Sequence, residues 1–227
     1  FKAIKRQVCY TAVFFDSLCV FMNPMPHPIQ TITLAFTGAS GLPYGMRLLE
    51  CLLEADKTVW LLYSQAAQVV AQQEMALTLP SSAQACRDML TERLNVAPER
   101  LHVFGKDEWF APPASGTNPA DAMIICPASM GVVAAVVHGT SDHLIERAAD
   151  VALKERRPLI IVPREAPFST LHLQNLLKLS EMGAVILPPS PGFYHHPQSI
   201  NDLIDFIVAR ILDQLRIPHT LMRKWGE

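Results

Sequence analysis

The sequence predicts an α/β fold with a mostly parallel sheet, and three observations carry that expectation. From residue 31 onward, short apolar runs alternate with helical patterns, as in chains of βα units. Half of the 227 residues are hydrophobic and 18% are charged, which suits a sheet buried on both faces. Each apolar run ends in a polar or Gly/Pro-containing loop, at the edge where open α/β sheets bind ligands.

The elements follow in order. Thr31-Ile-Thr-Leu-Ala-Phe36 is the first strand, and the turn Thr37-Gly-Ala-Ser-Gly41 leads into a helix over 43–55. Thr58-Val-Trp-Leu-Leu-Tyr63 is the second strand, followed by helices over 65–75 and 83–94. Leu101-His-Val-Phe104 is short and runs into a long loop, Gly105–Gly116. The apolar run Ala122-Met-Ile-Ile-Cys126 is a buried strand, with helices at 130–138 and 142–156 behind it. Pro158–Val162 and Ala184–Leu187 complete the strands, and helices at 170–182 and 199–214 complete the fold. No internal repeat or low-complexity tract interrupts the pattern.

Composition narrows the function. Net charge of −2 argues against a general nucleic-acid binder. The five cysteines (Cys9, Cys19, Cys51, Cys86, Cys126) show no C-x-x-C and no zinc spacing, so they read as free thiols of a cytoplasmic protein. Residues 1–30 stand outside the βα pattern. Lys2, Lys5 and Arg6 precede Val8–Phe15 and Leu18–Met22, too short for a membrane span of ~20 residues. The stretch vaguely resembles a signal peptide but lacks a small-residue cleavage site. It is read as an extension, with Met25 as the expected start, and 31–227 as one domain.

The loops hold the chemistry. Strand, small-residue turn and helix N-terminus at 37–41 make an anion site, because free backbone N–H groups and the helix dipole converge there. Gly38 and Gly41 admit close approach, and Ser40 adds a hydroxyl. The spacing is neither G-x-G-x-x-G nor a P-loop, and Leu42 breaks the G-x-S-x-G pattern, so a mononucleotide such as FMN is the better match than a dinucleotide. A plain structural turn is the alternative. Pro127–Val132 is a second small-residue helix entry, in which Ser129 serves either as a cap or beside a flavin. Arg147 and Lys154, seven residues apart, share a helix face opposite Leu144, Ala148, Val151 and Ala152; with Glu146, Asp150 and Glu155 near, a solvated charged face is the default. Arg164 and Glu165 leave a buried-type strand at the ligand edge, where a cation beside a carboxylate suits anion binding with proton transfer. Pro188–Pro197 is a stiffened loop tipped by Phe193 and Tyr194, a lid candidate. His195 and His196 are adjacent, point apart and lack a third ligand, so no metal is expected.

Taken together, these residues resemble the UbiX-type flavin prenyltransferases. The similarity rests on ITLAFTGASG (32–41), LLYSQAAQVV, HVFGKDEWFAPPASG (102–116), LIERAADVALKERRPLIIVPREAPFS (144–169) and GAVILPPSPGFYHHPQS (183–199). It implies a flavodoxin-like Rossmann fold and a dodecamer with the flavin at a subunit junction. The implied reaction joins a dimethylallyl group from dimethylallyl phosphate to N5 and C6 of reduced FMN, for use by UbiD-type decarboxylases. By the same resemblance Gly38, Ala39, Ser40, Ser64, Ser129, Met130, Gly131, Val132 and Arg164 contact FMN. Tyr194, Lys154, Arg147 and Arg210 cradle the prenyl phosphate, Glu165 is the acid/base, and Ser40 with Glu74 relays protons. Three cations and a hydroxyl meet the departing phosphate without magnesium, for which no Asp-Asp-x-x-Asp run exists. Ala128, Val132 and His143 depart from common family residues, which bears on the flavin contacts. Two other readings are an FMN-dependent decarboxylase of the phosphopantothenoylcysteine type and a non-catalytic FMN-binding subunit. The first is expected to carry Pro-x-Met-Asn-x-x-Met where this chain has PASMGVV.

Overall fold

A computed structural model describes residues 28–223 and residue 226. Six strands form one parallel sheet in the order β3-β2-β1-β4-β5-β6. They are β1 (Thr31–Phe36), β2 (Thr58–Tyr63), β3 (Leu101–Phe104), β4 (Ala122–Ala128), β5 (Leu159–Pro163) and β6 (Val185–Ile186). The helices are α1 (Leu42–Glu54), α2 (Gln65–Met75), α3 (Ala83–Leu94), α4 (Met130–His138), α5 (Leu144–Lys154), α6 (Thr170–Glu181) and α7 (Ile200–Gln214). Chain order reverses between β1 and β4, so the topological switch point of this flavodoxin-like Rossmann fold lies between their carboxyl ends.

The sheet is buried on both faces, which is why β4 and β5 are buried at every position. On one face Ile32, Leu34 and Phe36 of β1 meet α1, α2, α3 and α7. On the other, Ala35 of β1 belongs with α4, α5 and α6. The two helical layers are therefore separated by the sheet, which matters for the charged residues below.

Several boundaries differ from expectation by a residue or two, and two of these differences have clear physical reasons. β4 continues past Cys126 to Ala128, with a register shift against β5 between Ile125 and Ala128. Pro127 has no N–H to give the ladder, and an irregularity is where a strand tolerates that loss. At the start, Ile29 is only 5% exposed within the core. The Gln30 N–H donates to Asp121 Oδ2 at 2.9 Å, and the Gln30 carbonyl accepts from Thr58 N–H. Residues 29 and 30 thus belong to the fold, although the sequence placed them in the extension. The reading of residues 1–24 lies outside the described residues.

The described cysteines are buried structural thiols. Burial pushes Cys51 and Cys86 up to about 11 and Cys126 higher still, which leaves none of them a ready nucleophile.

Candidate functional site

The site begins where β1 and β4 end side by side. Thr37, fully buried, follows β1 directly. Its hydroxyl donates to the Pro127 carbonyl at 2.7 Å and accepts the Ser129 N–H at 2.8 Å. One side chain therefore ties the loop after β1 to the loop after β4 across the switch point. The neighbouring loops join the same edge: Ser64 N–H bonds to the Phe36 carbonyl, and Arg164 N–H to the Ala128 carbonyl. Gly38 is required by packing, since a Cβ there would sit 2.5 Å from the Ala66 methyl of α2.

The two helix N-termini at this edge differ. Gly41, at φ 107°, turns the chain into α1 in a conformation that glycine adopts without strain. The Gly41 and Leu42 N–H groups are not open, however. Both donate to the Glu74 carboxylate, at 2.9 Å to Oε2 in each case. This corrects the expectation of an open phosphate site at 37–41: a carboxylate from α2 already meets the positive end of α1. It also explains Glu74, for which the sequence offered only a proton relay with Ser40. At α4 the position is reversed. Ser129 is the N-cap residue, yet its side chain makes no capping bond. Met130 and Val132 turn their side chains into the core, and a Cβ on Gly131 would meet nothing within 4 Å. The first turn of α4 thus offers backbone N–H groups beside open space. Ser64 does cap its helix, accepting the Ala67 N–H at 3.1 Å.

Arg164 and Glu165 follow β5 at the same edge, with Arg164 exposed and Glu165 half-buried. Among the described residues neither is in an ion pair. The Glu165 Oε1 accepts only the Ala166 N–H, at 3.1 Å. Both groups are therefore available to a ligand.

The four phosphate-binding candidates are not gathered in one place. Arg147, in the first turn of α5, donates through Nε to the Ala114 carbonyl at 3.1 Å and pairs with Asp150 at 2.6 Å. Lys154, in the last turn, pairs with Glu155 against Gly116. They share a face, as the spacing required, but lie about 10 Å apart along the axis. Glu146 is a second correction: it is buried, not part of a solvated face, and accepts the Asp142 N–H at 2.8 Å. Tyr194 and Arg210 lie elsewhere. Both line an open cleft of about 600 Å³ at the end of α7. Tyr194 is 51% exposed and stands edge-on to Phe206 of α7. Because α5 and α7 occupy opposite faces of the sheet, one chain holds this basic set as two halves.

Among the described residues no group of three or more His, Cys, Asp or Glu could hold a metal ion. None of their helices is long and apolar enough to cross a membrane.

Comparison with known proteins gives the family. The flavoprotein family model matches residues 22–212. The flavin prenyltransferase UbiX of Pseudomonas aeruginosa is 57% identical over 87% of this chain and 95% of its own. That of Methanocaldococcus jannaschii is 40% identical over 86% of this chain and 98% of its own. The crystal structure of AnUbiX in complex with FMN and dimethylallyl pyrophosphate superposes with a TM-score of 0.78, at 36% identity over 88% of this chain and 98% of that one. A dodecameric FMN-dependent UbiX-like decarboxylase from Escherichia coli O157:H7 gives 0.76, at 36% identity over 87% and 100%. With this fold, these loops and these relatives, the chain belongs to the UbiX flavin prenyltransferases of the flavoprotein family.

Proposed function

We propose that this protein transfers a dimethylallyl group from dimethylallyl phosphate to N5 and C6 of reduced FMN, releasing phosphate. The observation that carries this reading is the 57% identity over nearly the whole length of a flavin prenyltransferase. The product, prenylated FMN, passes to UbiD-type decarboxylases. The reading places the enzyme in the cytoplasm, as a homo-oligomer of the dodecameric kind described for its E. coli relative.

The residues fit a flavin mononucleotide. The uncapped first turn of α4 offers backbone donors to a polar edge or phosphate, while Glu74 keeps the α1 terminus closed to a second anion. Gly38, Ala39 and Ser40 form the adjoining wall, with Ser64 and Arg164 at its ends. Glu165 carries the proton exchange of the ring-closing step, for which its unpaired carboxylate is suited. Arg147, Lys154, Arg210 and Tyr194 stabilise the leaving phosphate, and the two halves of that cradle come from neighbouring subunits.

The test is mass spectrometry of flavin extracted after incubation with reduced FMN and dimethylallyl phosphate. An added C5 prenyl unit is expected, and its absence at full FMN occupancy would overturn the reading. Glu165→Gln, which keeps shape but cannot exchange a proton, should bind FMN and slow ring closure ~10²- to 10⁴-fold. Unchanged turnover in that variant would remove Glu165 from the reaction.

A further inference from the structure

Arg210 is embedded in a chain of contacts that the phosphate-binding role does not itself explain. One guanidinium nitrogen, Nη1, donates to Asp213 Oδ2 at 2.7 Å. The other oxygen of Asp213, Oδ1, contacts His219 Nε2 at 3.1 Å. Exposure falls along the chain: the Arg210 side chain is 48% exposed, Asp213 40% and His219 13%. His219 is held because the segment after α7 folds back. Ile217 is buried, and its N–H bonds to the Leu212 carbonyl at 3.0 Å. Arg210, Asp213 and His219 line the same cleft as Tyr194.

We propose that Asp213 and His219 are positioning residues for the prenyl phosphate and act through Arg210. This rests on the reading of Arg210 as a phosphate ligand. A half-exposed arginine free to rotate must lose much rotamer freedom on binding. Here Asp213, one helical turn on, occupies Nη1. The opposite edge, Nε with Nη2, has no partner among the described residues, and two adjacent N–H groups are what a bidentate phosphate contact requires. His219 serves the same end one step back, since a carboxylate held at both oxygens cannot swing away. The opposing effect is repulsion between Asp213 and the phosphate. The carboxylate lies on the far side of the guanidinium and is partly solvated, so that repulsion is screened and ordering dominates.

The experiment is a double-mutant cycle on the full chain, reading KM and kcat for dimethylallyl phosphate, FMN affinity and melting temperature. Asp213→Ala should raise KM about 10-fold, the scale of one charge-assisted hydrogen bond, with kcat and FMN affinity little changed. In the Arg210→Ala background the same substitution should do nothing further, because the residue it positions is gone. His219→Ala should raise KM more weakly, and His219→Gln, which keeps an N–H donor, should restore it. A loss of folding would lower FMN affinity and melting temperature together; the milder Asp213→Asn and His219→Gln variants then decide. Additive penalties in the double variant overturn the proposal, as does an unchanged or lowered KM in Asp213→Ala while Arg210→Ala is impaired. An Arg210→Ala variant with normal KM instead overturns the phosphate role of Arg210, on which this inference stands.

Discussion

At the scale of single residues, Thr37 ties together the two loops of the proposed flavin site. The sequence showed it only as the first residue of a small-residue turn. Its role depends on partners about ninety positions away, Pro127 and Ser129, which no local pattern reveals. Glu74 was singled out by resemblance, but its contact with the start of α1 was hidden for the same reason, since the amides it binds lie thirty-three and thirty-two positions earlier. Arg164 and Glu165 were legible because both follow one apolar run directly, so a single strand assignment placed them at the ligand edge. Thr37→Val keeps the shape of the side chain and removes both hydrogen bonds, leaving a carbonyl and an N–H buried without partners. A loss of about 1–3 kcal/mol is expected, with weaker FMN binding, whereas Thr37→Ser should retain both bonds. Denaturant unfolding and FMN titration of the two variants check this. Equal behaviour of the valine and serine variants would show that the hydroxyl does not tie the loops.

At the scale of elements, the strands and helices were largely legible because their periods are strong. β1, β2 and β3 and helices α2, α3 and α4 fall where the sequence placed them. What escaped was the manner in which elements pack. Glu146 carries a charge but is buried at the start of α5, satisfied by a backbone N–H rather than by water. The glycine at 45 reads as a weak point in a helix, costing about 1 kcal/mol against alanine on propensity alone. Its position explains it: a Cβ there would overlap the Cys126 carbonyl oxygen and come within 2.8 Å of the Phe36 ring. Close contact of α1 with β1 and β4 therefore outweighs helix propensity. Gly45→Ala should destabilise the fold by about 1–3 kcal/mol, the range for overpacking, instead of stabilising it. A raised denaturation midpoint in that variant would show that α1 shifts freely to accommodate the methyl group. Such a shift would also move Gly41 and Leu42 relative to Glu74.

At the scale of the whole molecule, the arrangement of charge argues for catalysis between subunits. Lys154 and Arg147 lie on the α4–α6 side of the sheet, and Tyr194 and Arg210 on the α7 side. The sequence grouped them as one cradle by resemblance, whereas the fold puts the two pairs on opposite sides of the sheet in a single chain. A leaving phosphate carries about two negative charges, and because Arg147, Lys154 and Arg210 each already face an acidic neighbour, either half alone would meet it incompletely. If each site joins Lys154 of one chain to Arg210 of another, inactive variants should rescue each other. Lys154→Ala and Arg210→Ala proteins, each with little turnover of dimethylallyl phosphate, would be co-expressed with distinct tags and the mixed oligomer isolated. Random assembly leaves roughly one junction in four with both native residues, so about a quarter of wild-type turnover should return. FMN binding, which these substitutions spare, reports that the mixed particles are folded. Where both residues serve the same site from one chain, every site in the mixture carries a defect and turnover stays at the level of the separate variants. That result would overturn the junction model and require Lys154 and Arg210 to meet within one protomer, against their separation by the sheet.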